Sequence, residues 1–452
     1  MQYFKPDGDF FVGDCMPFFH DGAFHLYYLL DEKHHRGKDG LGGHQWAHAS
    51  STDLQQWTHH PLALPVDEEW ECSICTGSVF YHEGTYYAFY ATRLRDWSEH
   101  LSLATSTDGI TFEKTTPNPF ASPPEGYSRH YRDPYVFQDD ETGRFHMLVT
   151  AALANPTLPQ SRGCLAHLMS EDLRKWDITE PFLVPGYKDP PECSDYFHWN
   201  GWYYLIFSNY SVASYRLSRN PYGPWIRPKV DTFDGRVARV LKSTSFTGNR
   251  RIGVTYLASR QDNKDDGRLL FAGNAGFREL VQHDDGSLGT KFPPEMIPAA
   301  DHALQLPFEA LTAGVTGNST SVRIQAEEGF GAAMFTGVPA DARITTHVRP
   351  QSPAAVFGLL LRGSGVYEKG YELWLLPDAQ RVELHDQFIS CVEGLTQPFS
   401  VDIIMKDDII DVCIDQRRCL INRCPEQRGD RLVFFCHNGD VVFDSIAMRS
   451  LL

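Results

Sequence analysis

The stretch PFFHDGAFHLYY, residues 17–28, combines a short apolar run, an Asp-Gly turn and an aromatic-rich run. Asp-Gly between two β-favouring runs indicates a hairpin, because glycine readily adopts the backbone conformation that a tight turn needs. Segments of the same kind recur along the chain, at residues 78–90, 135–149, 196–207 and, more weakly, 245–256. The sequence therefore predicts five β-hairpins.

A second kind of segment follows each of the first four hairpins. A strand ends in Ser, a polar turn carries Asp or Asn, and an aromatic residue opens the next strand. The copies of this segment are residues 49–57, 104–112, 168–176 and 216–225. One hairpin and one such segment give four strands, and four-stranded units repeated around an axis are the blades of a β-propeller. We predict a five-bladed propeller over residues 1–297.

The pattern changes after residue 297. Alternating apolar runs at residues 356–361, 371–376 and 409–414, separated by turn signals, are typical of an antiparallel β-sandwich. We predict a β-sandwich over residues 310–452, with residues 298–309 as the linker. Helix signals are sparse throughout, so the predicted fold class is all-β.

Composition narrows the classes of ligand and compartment. The chain has 452 residues and a net charge of −17, which argues against nucleic acid and anionic membranes as partners. The N-terminus lacks the basic start and apolar core of a signal peptide, so we expect a cytoplasmic location with the ten cysteines reduced. Cys72 and Cys75 form a CxxC without a second pair at zinc-ligand spacing, and we predict no metal and no cofactor.

Three acidic residues hold like positions in the predicted blades. Asp14 precedes the first hairpin, Asp133 the third and Glu192 the fourth. The innermost strands of a propeller converge on a central channel, so their ends can bring the three carboxyl groups together. Converging acids push their pKa values apart, which suits a glycosidase that needs one protonated and one ionised carboxyl group.

An ordered set of motifs resembles the β-fructosidases of glycoside hydrolase family 32, which include invertases, levanases and inulinases and are related to family 43. The motifs cover nearly the whole chain. They are residues 44–50 (HQWAHAS), 75–78 (CTGS), 132–134 (RDP), 192–197 (ECSDYF), 278–280 (REL), 285–288 (DGSL) and 407–415 (DDIIDVCID). Each motif alone is weak, whereas the full set in this order is specific.

The resemblance implies a function and a set of site residues. It implies that terminal β-fructofuranosyl residues are removed from fructo-oligosaccharides or related fructosides by a retaining mechanism. Asp14 would be the nucleophile, Asp133 the transition-state stabiliser and Glu192 the acid/base. The implied substrate-binding residues are Arg132, Trp46, Thr76, Ser78, Trp97 and Asp195. For the two tryptophans, packing within a blade is an equally good interpretation. The substrate would be an oligosaccharide or disaccharide, and the oligomeric state is left open.

Two features depart from the family pattern. The family's nucleophile usually lies in Asn-Asp-Pro-Asn-Gly, whereas residues 13–17 read GDCMP, and the glutamine of the following strand is absent from residues 27–30. Those amides line the sugar pocket in the family, so the sugar and the linkage are left open.

Glu71 lies in a local match to the acid/base motif but precedes Arg-Asp-Pro, so we predict a rim position for Glu71.

Three other functions compete with fructoside hydrolysis. The same residues could transfer the fructosyl unit to another sugar. A family-43-like enzyme would hydrolyse arabinosides or xylosides with inversion, with carboxyl groups about 6.5–9.5 Å apart instead of about 5–5.5 Å. A carbohydrate-binding propeller without catalysis is disfavoured, because a binding protein needs no nucleophile paired with an acid.

Overall fold

The computed structural model describes residues 1–352 and 355–451. These residues consist almost entirely of β-strands and their turns, which confirms the predicted all-β class. They separate into two compact units. Unit 1 comprises Met1–Thr232, Ala238–Ala258 and Leu270–Ser287, and unit 2 comprises Phe233–Val237, Ser259–Leu269 and the described chain from Leu288 onward. The predicted domain boundaries, with residues 298–309 as a linker, remain a prediction.

Unit 1 is built from short strands joined by tight turns. Its strands are β1 Phe10–His20, β2 Ala23–Glu32, β3 Gln45–Ser51, β4 Thr58–His59, β5 Ser73–His82, β6 Thr85–Arg93, β7 Glu99–Ser106, β8 Glu113–Lys114, β9 Tyr127–Gln138, β10 Phe145–Leu153, β11 Gly163–Ser170, β12 Asp177–Ile178, β13 Glu192–Trp199, β14 Trp202–Asn209, β15 Val212–Ser218, β16 Ala238–Phe246, β17 Arg250–Arg260 and β18 Leu269–Gln282. Within residues 1–352 and 355–451, helical geometry is confined to single turns, at α1 Gly37–Gly40 and Thr247–Asn249 in unit 1 and at Gln261–Asn263 and Pro294–Met296 in unit 2. Across the described ranges, no helix has the length and apolar character needed to cross a membrane.

The five predicted hairpins are confirmed. They are the antiparallel pairs β1/β2, β5/β6, β9/β10, β13/β14 and β16/β17. Each hairpin continues into further strands, giving the groups β1–β4, β5–β8, β9–β12, β13–β15 and β16–β18. The first and last groups are joined in one sheet, because β18 pairs with β1. Unit 1 is therefore a β-propeller, and its five strand groups equal the number of blades that the sequence predicts.

The recurring Ser-x-Asp segment has a local physical cause. In the first copy the Asp53 carboxylate accepts the backbone N–H groups of Gln55 and Gln56, both at 2.8 Å, and Ser51 Oγ accepts the N–H of Leu54. The same bonds recur at Asp108 and at Asp172 and their neighbours. Short polar side chains thus stabilise the turn that ends the third strand of each of these groups.

A β-bulge interrupts the inner strand of every hairpin, near the beginning of β1, β5, β13 and β16 and in the middle of β9. In each hairpin two residues of the inner strand lie opposite one residue of its partner. The bulged pairs are Gly13 and Asp14, Cys75 and Thr76, Asp133 and Pro134, Cys193 and Ser194, and Val240 and Leu241. A bulge leaves the ladder incomplete and re-aims its side chains. The five bulges therefore direct side chains of five different strands to one region of unit 1.

Unit 2 is a β-sandwich, as predicted. Its strands are β19 Leu288–Lys291, β20 Phe308–Ala310, β21 Val315–Asn318, β22 Ser321–Thr336, β23 Ala342–Pro350, β24 Val356–Ser364, β25 Lys369–Leu376, β26 Arg381–Leu384, β27 Gln387–Ile389, β28 Phe399–Lys406, β29 Ile409–Ile414, β30 Arg418–Arg423 and β31 Arg431–Ser450. The long β31 pairs with β22, with β24 along its first half and with β23 along its second half. Alternate residues of these strands bury an extensive apolar core that includes Phe357, Phe434 and Phe443.

Candidate active site

A cavity of about 790 Å³ lies in unit 1 where the bulged strands begin. Its lining includes the three acidic residues predicted from the sequence, Asp14, Asp133 and Glu192. The predicted residues Arg132, Thr76 and Trp97 also line the cavity. The fold therefore brings together side chains that are far apart in the chain.

Asp14 lies in the bulge of β1 and is only 8% exposed. Its Oδ2 accepts a hydrogen bond from Thr76 Oγ1 at 2.5 Å and a weaker one from Cys193 Sγ at 3.5 Å. Its Oδ1 has no hydrogen-bond partner among the described residues. Burial raises the pKa of Asp14 to about 7; the Thr76 hydrogen bond opposes this change, and the charges of Asp133 and Glu192 add to it.

Gly77, which follows Thr76, explains the glycine of the CTGS motif. A Cβ atom at Gly77 would lie 1.9 Å from the backbone oxygen of Phe89 on the paired strand. Only glycine therefore allows β5 to approach β6 so closely beside the bulge. The motif thus places the Thr76 hydroxyl against Asp14.

Asp133 lies in the bulge of β9, with its backbone in the left-handed region at φ 55°. This conformation is uncommon for a residue other than glycine and changes the direction of the side chain. The Asp133 carboxylate accepts the backbone N–H of Cys193 at 3.1 Å, and Arg132 Nε lies 3.7 Å from it. Asp133 is 2% exposed and is held by β13 as well as by its own strand.

Glu192 is the most exposed of the three acids, with 41% of its side chain accessible. Arg132 Nη2 donates to Glu192 Oε1 at 2.5 Å, whereas Oε2 makes no hydrogen bond to the described residues. The surrounding protein raises the pKa of Glu192 by desolvation; the Arg132 guanidinium opposes this change, and the Asp133 charge adds to it. Asp14 and Glu192 thus differ in environment, because Arg132 donates a hydrogen bond to Glu192 and none to Asp14.

Two charged residues that the sequence analysis missed connect to this group. Glu99 is 3% exposed and accepts hydrogen bonds from Arg93 at 2.9 Å and from Arg132 at 3.3 Å. Arg93 and Glu99 lie directly opposite each other at the ends of β6 and β7. The opposite charges of these two residues could have revealed the pair, but only once the register between β6 and β7 is known.

Asp31, His35 and His44 place one donor atom each within 4.8 Å of one another, a donor set suited to a transition metal. Metal-binding histidines normally donate their second ring nitrogen to an outer partner. Here His35 Nε2 faces the Arg93 guanidinium at 3.2 Å, and His44 Nδ1 has no partner in the described ranges. The surroundings of the two histidines therefore do not fit a bound metal, and we assign none to this trio.

The remaining predicted binding residues lie outside the cavity lining. Trp46 is fully buried in the core of unit 1 and donates its Nε1–H to the backbone oxygen of Cys75. Ser78 links β5 to β9 through Pro134, and Asp195 accepts two hydrogen bonds from Ser243. Their predicted contacts with substrate therefore have no structural support.

Trp97, in contrast, lines the cavity, is 43% exposed, and lies under the Arg93 guanidinium at 5.4 Å.

The rim position predicted for Glu71 is wrong. Glu71 is fully buried, pairs with Lys114 at 2.6 Å and does not line the cavity. Its backbone oxygen also accepts a hydrogen bond from Lys38. A local sequence match to an acid/base motif could not reveal this burial, because Lys114 belongs to a different part of the chain.

The fold and the site together bring into one cavity the paired carboxyl groups that a glycoside hydrolase needs. The N-terminal domain of glycosyl hydrolases family 32 matches residues 5–226. This match and the relatives described next show that the chain is similar to glycoside hydrolase family 32 over about half of its length.

Curated relatives cover only part of this chain. A sucrose-6-phosphate hydrolase of Klebsiella pneumoniae is 30% identical over 248 residues, which are 51% of this chain and 49% of that protein. A levanbiose-producing levanase of Bacillus subtilis is 25% identical over 49% of this chain and 41% of its own length. The chain thus spans about half or less of the length of these relatives. Fructan 1-exohydrolase IIa of Cichorium intybus has the same fold, with a TM-score of 0.75 at 16% identity, covering 99% of this chain and 96% of the other.

Proposed function

We propose that this protein hydrolyses terminal β-fructofuranosyl residues of an oligosaccharide or disaccharide with retention of configuration. The observation that carries the proposal is the pairing of two unlike carboxyl groups in one cavity. Asp14 is buried, and its single side-chain hydroxyl donor is Thr76, whereas Glu192 is partly exposed and bonded to Arg132. A retaining glycosidase needs such a pair, with one group as nucleophile and the other as proton donor.

In the proposed first step, Asp14 attacks the anomeric carbon of the fructosyl unit. The bond from this carbon to the leaving oxygen breaks, and the leaving oxygen takes the proton of Glu192. We assign this proton to Oε2, since Oε1 is already bonded to Arg132. In the second step, Glu192 takes a proton from water, the water oxygen attacks the same carbon, and the ester bond to Asp14 breaks.

Asp133 would act without forming a covalent bond. It is held from two strands, by the N–H of Cys193 and beside Arg132. A carboxylate fixed in this way can accept hydrogen bonds from sugar hydroxyls and stabilise positive charge that develops at the anomeric carbon. Arg132 would fix the orientations of the Asp133 and Glu192 carboxyl groups, because it contacts both of them.

The cavity also supports a choice of test substrates. Leu29 lines it from the strand in which the family usually carries a glutamine, so an apolar contact replaces one amide. Arg162 and Lys188 are exposed, line the cavity, and make no ion pair within the described residues. We therefore include phosphorylated and linkage-variant fructosides beside sucrose.

The test is a release assay with sucrose, a 6-phosphorylated sucrose, inulin, levan, difructose dianhydrides and aryl arabinofuranosides. We expect fructose or a phosphorylated product from at least one fructoside, and NMR should detect the β-anomer first. Release of arabinose with inversion would replace the proposal by the family-43-like alternative. No release from any of these compounds would contradict a hydrolase function.

A further inference from the structure

Glu99 is a buried acid in the cavity lining that links two arginines. It begins β7, accepts Arg93 Nη2 at 2.9 Å through Oε1, and accepts Arg132 Nη1 at 3.3 Å through Oε2. His130, which is half-exposed, lies 3.4 Å from the same Oε2. A carboxylate buried to this extent persists when several donors compensate its charge, as they do here.

Arg132 is thereby shared among three acids. Its guanidinium contacts Glu99 at 3.3 Å, Glu192 at 2.5 Å and Asp133 at 3.7 Å. Nη1 is directed to Glu99 and Nη2 to Glu192, so the planar group is held by different atoms on different sides. Because the guanidinium group is planar and rigid, fixing its Nη1 edge also fixes the position of its Nη2 edge.

We propose that Glu99 is a positioning residue for the acid/base Glu192, acting through Arg132 and without contact with the sugar. The inference rests on the proposed function, since it assigns a partner to the acid/base of that reaction. Glu99 anchors one edge of the guanidinium, so that the opposite edge holds Glu192 Oε1 and leaves Oε2 directed to the leaving group. It also takes up part of the positive charge of Arg132, which would otherwise act on Glu192 alone.

The electrostatic part of this role has a definite sign. Burial disfavours the charged form of Glu99, but the hydrogen bond from His130 and the charges of Arg132 and Arg93 lower the pKa of Glu99 to about 2. Glu99 is therefore negatively charged at all working pH values, and its charge raises the pKa of Glu192. The other charged or titratable groups around Glu192 are Arg132, Asp133, Asp14, Cys193, Tyr256, His130, Arg162, Lys188 and Asp189.

The experiment compares wild type, Glu99→Gln and Glu113→Gln on the fructoside that the release assay identifies and on an aryl fructoside with a good leaving group. Glu113 is exposed in the same unit, so its variant controls for the substitution itself. For Glu99→Gln we expect kcat on the natural fructoside to fall by about 10- to 100-fold. The activated substrate should lose only a few-fold, because its leaving group needs little protonation. The alkaline limb of the pH profile should move down by about half to one pH unit, because the uncompensated Arg132 charge favours ionised Glu192.

Equal losses on both substrates with an unmoved alkaline limb would overturn the inference, since a merely structural residue acts in that way. If Glu99→Gln shows no cooperative unfolding transition, the variant is not folded, and Glu99→Asp then tests the inference. It keeps the charge but shortens the reach, so we expect a normal alkaline limb together with a selective loss on the natural substrate. Equal losses on both substrates for Glu99→Asp would overturn the inference as well. Failure of the proposed function itself would look different, because the wild type would then release no sugar.

Discussion

Acidic residues are paired differently in the cavity of unit 1 and on the paired strands β23 and β28 of unit 2. In unit 2, Asp402 accepts two hydrogen bonds from Arg343, at 3.0 and 2.7 Å, so one acid has one fully matched cation. In unit 1, Glu99, Asp133 and Glu192 share Arg132, and Asp14 keeps one buried oxygen without a partner within the described residues. Regions that depart from full pairing in this way store unfavourable energy, and such departures concentrate at functional sites.

The largest expected effect is that of Asp14→Asn, which should lower kcat by on the order of 10⁴ or more, because the nucleophile is lost. The same variant should be more stable at pH 8. The pKa of Asp14 is raised from 3.8 to about 7, so the folded state disfavours its ionised form by up to about 4 kcal/mol above pH 7. Stability from this group falls as pH rises from about 4 to 7, and the gain in the variant should shrink on acidification. Thermal unfolding at pH 4.5 and 8 measures this difference.

Asp402→Asn is the matched change in unit 2. It should lower the free energy of unfolding by about 1 kcal/mol at pH 8, because Arg343 loses its charged partner, and kcat should stay at the wild-type value. A stabilised Asp402→Asn, or a destabilised Asp14→Asn with intact fold, would contradict the comparison.

Glu192→Gln should reduce kcat on a natural fructoside by on the order of 10³, because no group then protonates the leaving oxygen. On an activated aryl fructoside the loss should be much smaller. Glu71→Gln is the control, since Glu71 lies outside the cavity and pairs with Lys114. It should change stability without changing the ratio of the two rates. If Glu71→Gln instead loses activity on the natural fructoside but not on the aryl fructoside, the assignment of the acid/base role to Glu192 is wrong.

A third expected effect concerns packing alone. Phe434 is fully buried in the unit 2 core, so Phe434→Ala should reduce the free energy of unfolding by about 3 kcal/mol through lost burial and a cavity. Denaturant unfolding measures this loss. The kcat of the folded variant should equal that of the wild type, since no cavity-lining residue is altered. A lowered kcat at unchanged stability would show that this core influences the site.

The smallest expected effect is that of Thr76→Val, which removes the hydroxyl that donates to Asp14 but keeps the side-chain shape. That hydrogen bond lowers the pKa of Asp14, so its loss raises this pKa further. Since the nucleophile must be ionised, kcat/KM should rise with pH through about 7 in the wild type and at higher pH in the variant. Thr85→Val, away from the cavity on β6, should keep the wild-type acid limb. An acid limb unmoved in Thr76→Val would contradict the proposed hydrogen-bond effect.

Much of the propeller was predictable because its signals are local. The Asp21-Gly22 turn and the Ser51–Asp53 turn are stabilised by atoms a few residues apart, and each recurs in later copies. Asp14, Asp133 and Glu192 could be found because each lies in the bulge of an inner strand of a repeated unit or directly before it. The resemblance to family 32 added roles that spacing alone does not supply.

What the tertiary structure decided depends on contacts between distant segments. A bulge shifts the alternation of inward and outward side chains, but the inner strands are buried on both faces beside their bulges, so no alternating pattern is present in the sequence to show the shift. The sequence therefore could not reveal how Asp14 or Asp133 is oriented. Which tryptophan faces the cavity follows from packing, which buries Trp46 and leaves Trp97 exposed. The sharing of Arg132 with Glu99 requires β7 and β9 to approach one another. Local hydrogen bonds encode the turns within a few residues, whereas burial and charge pairing exist only once the strands have assembled.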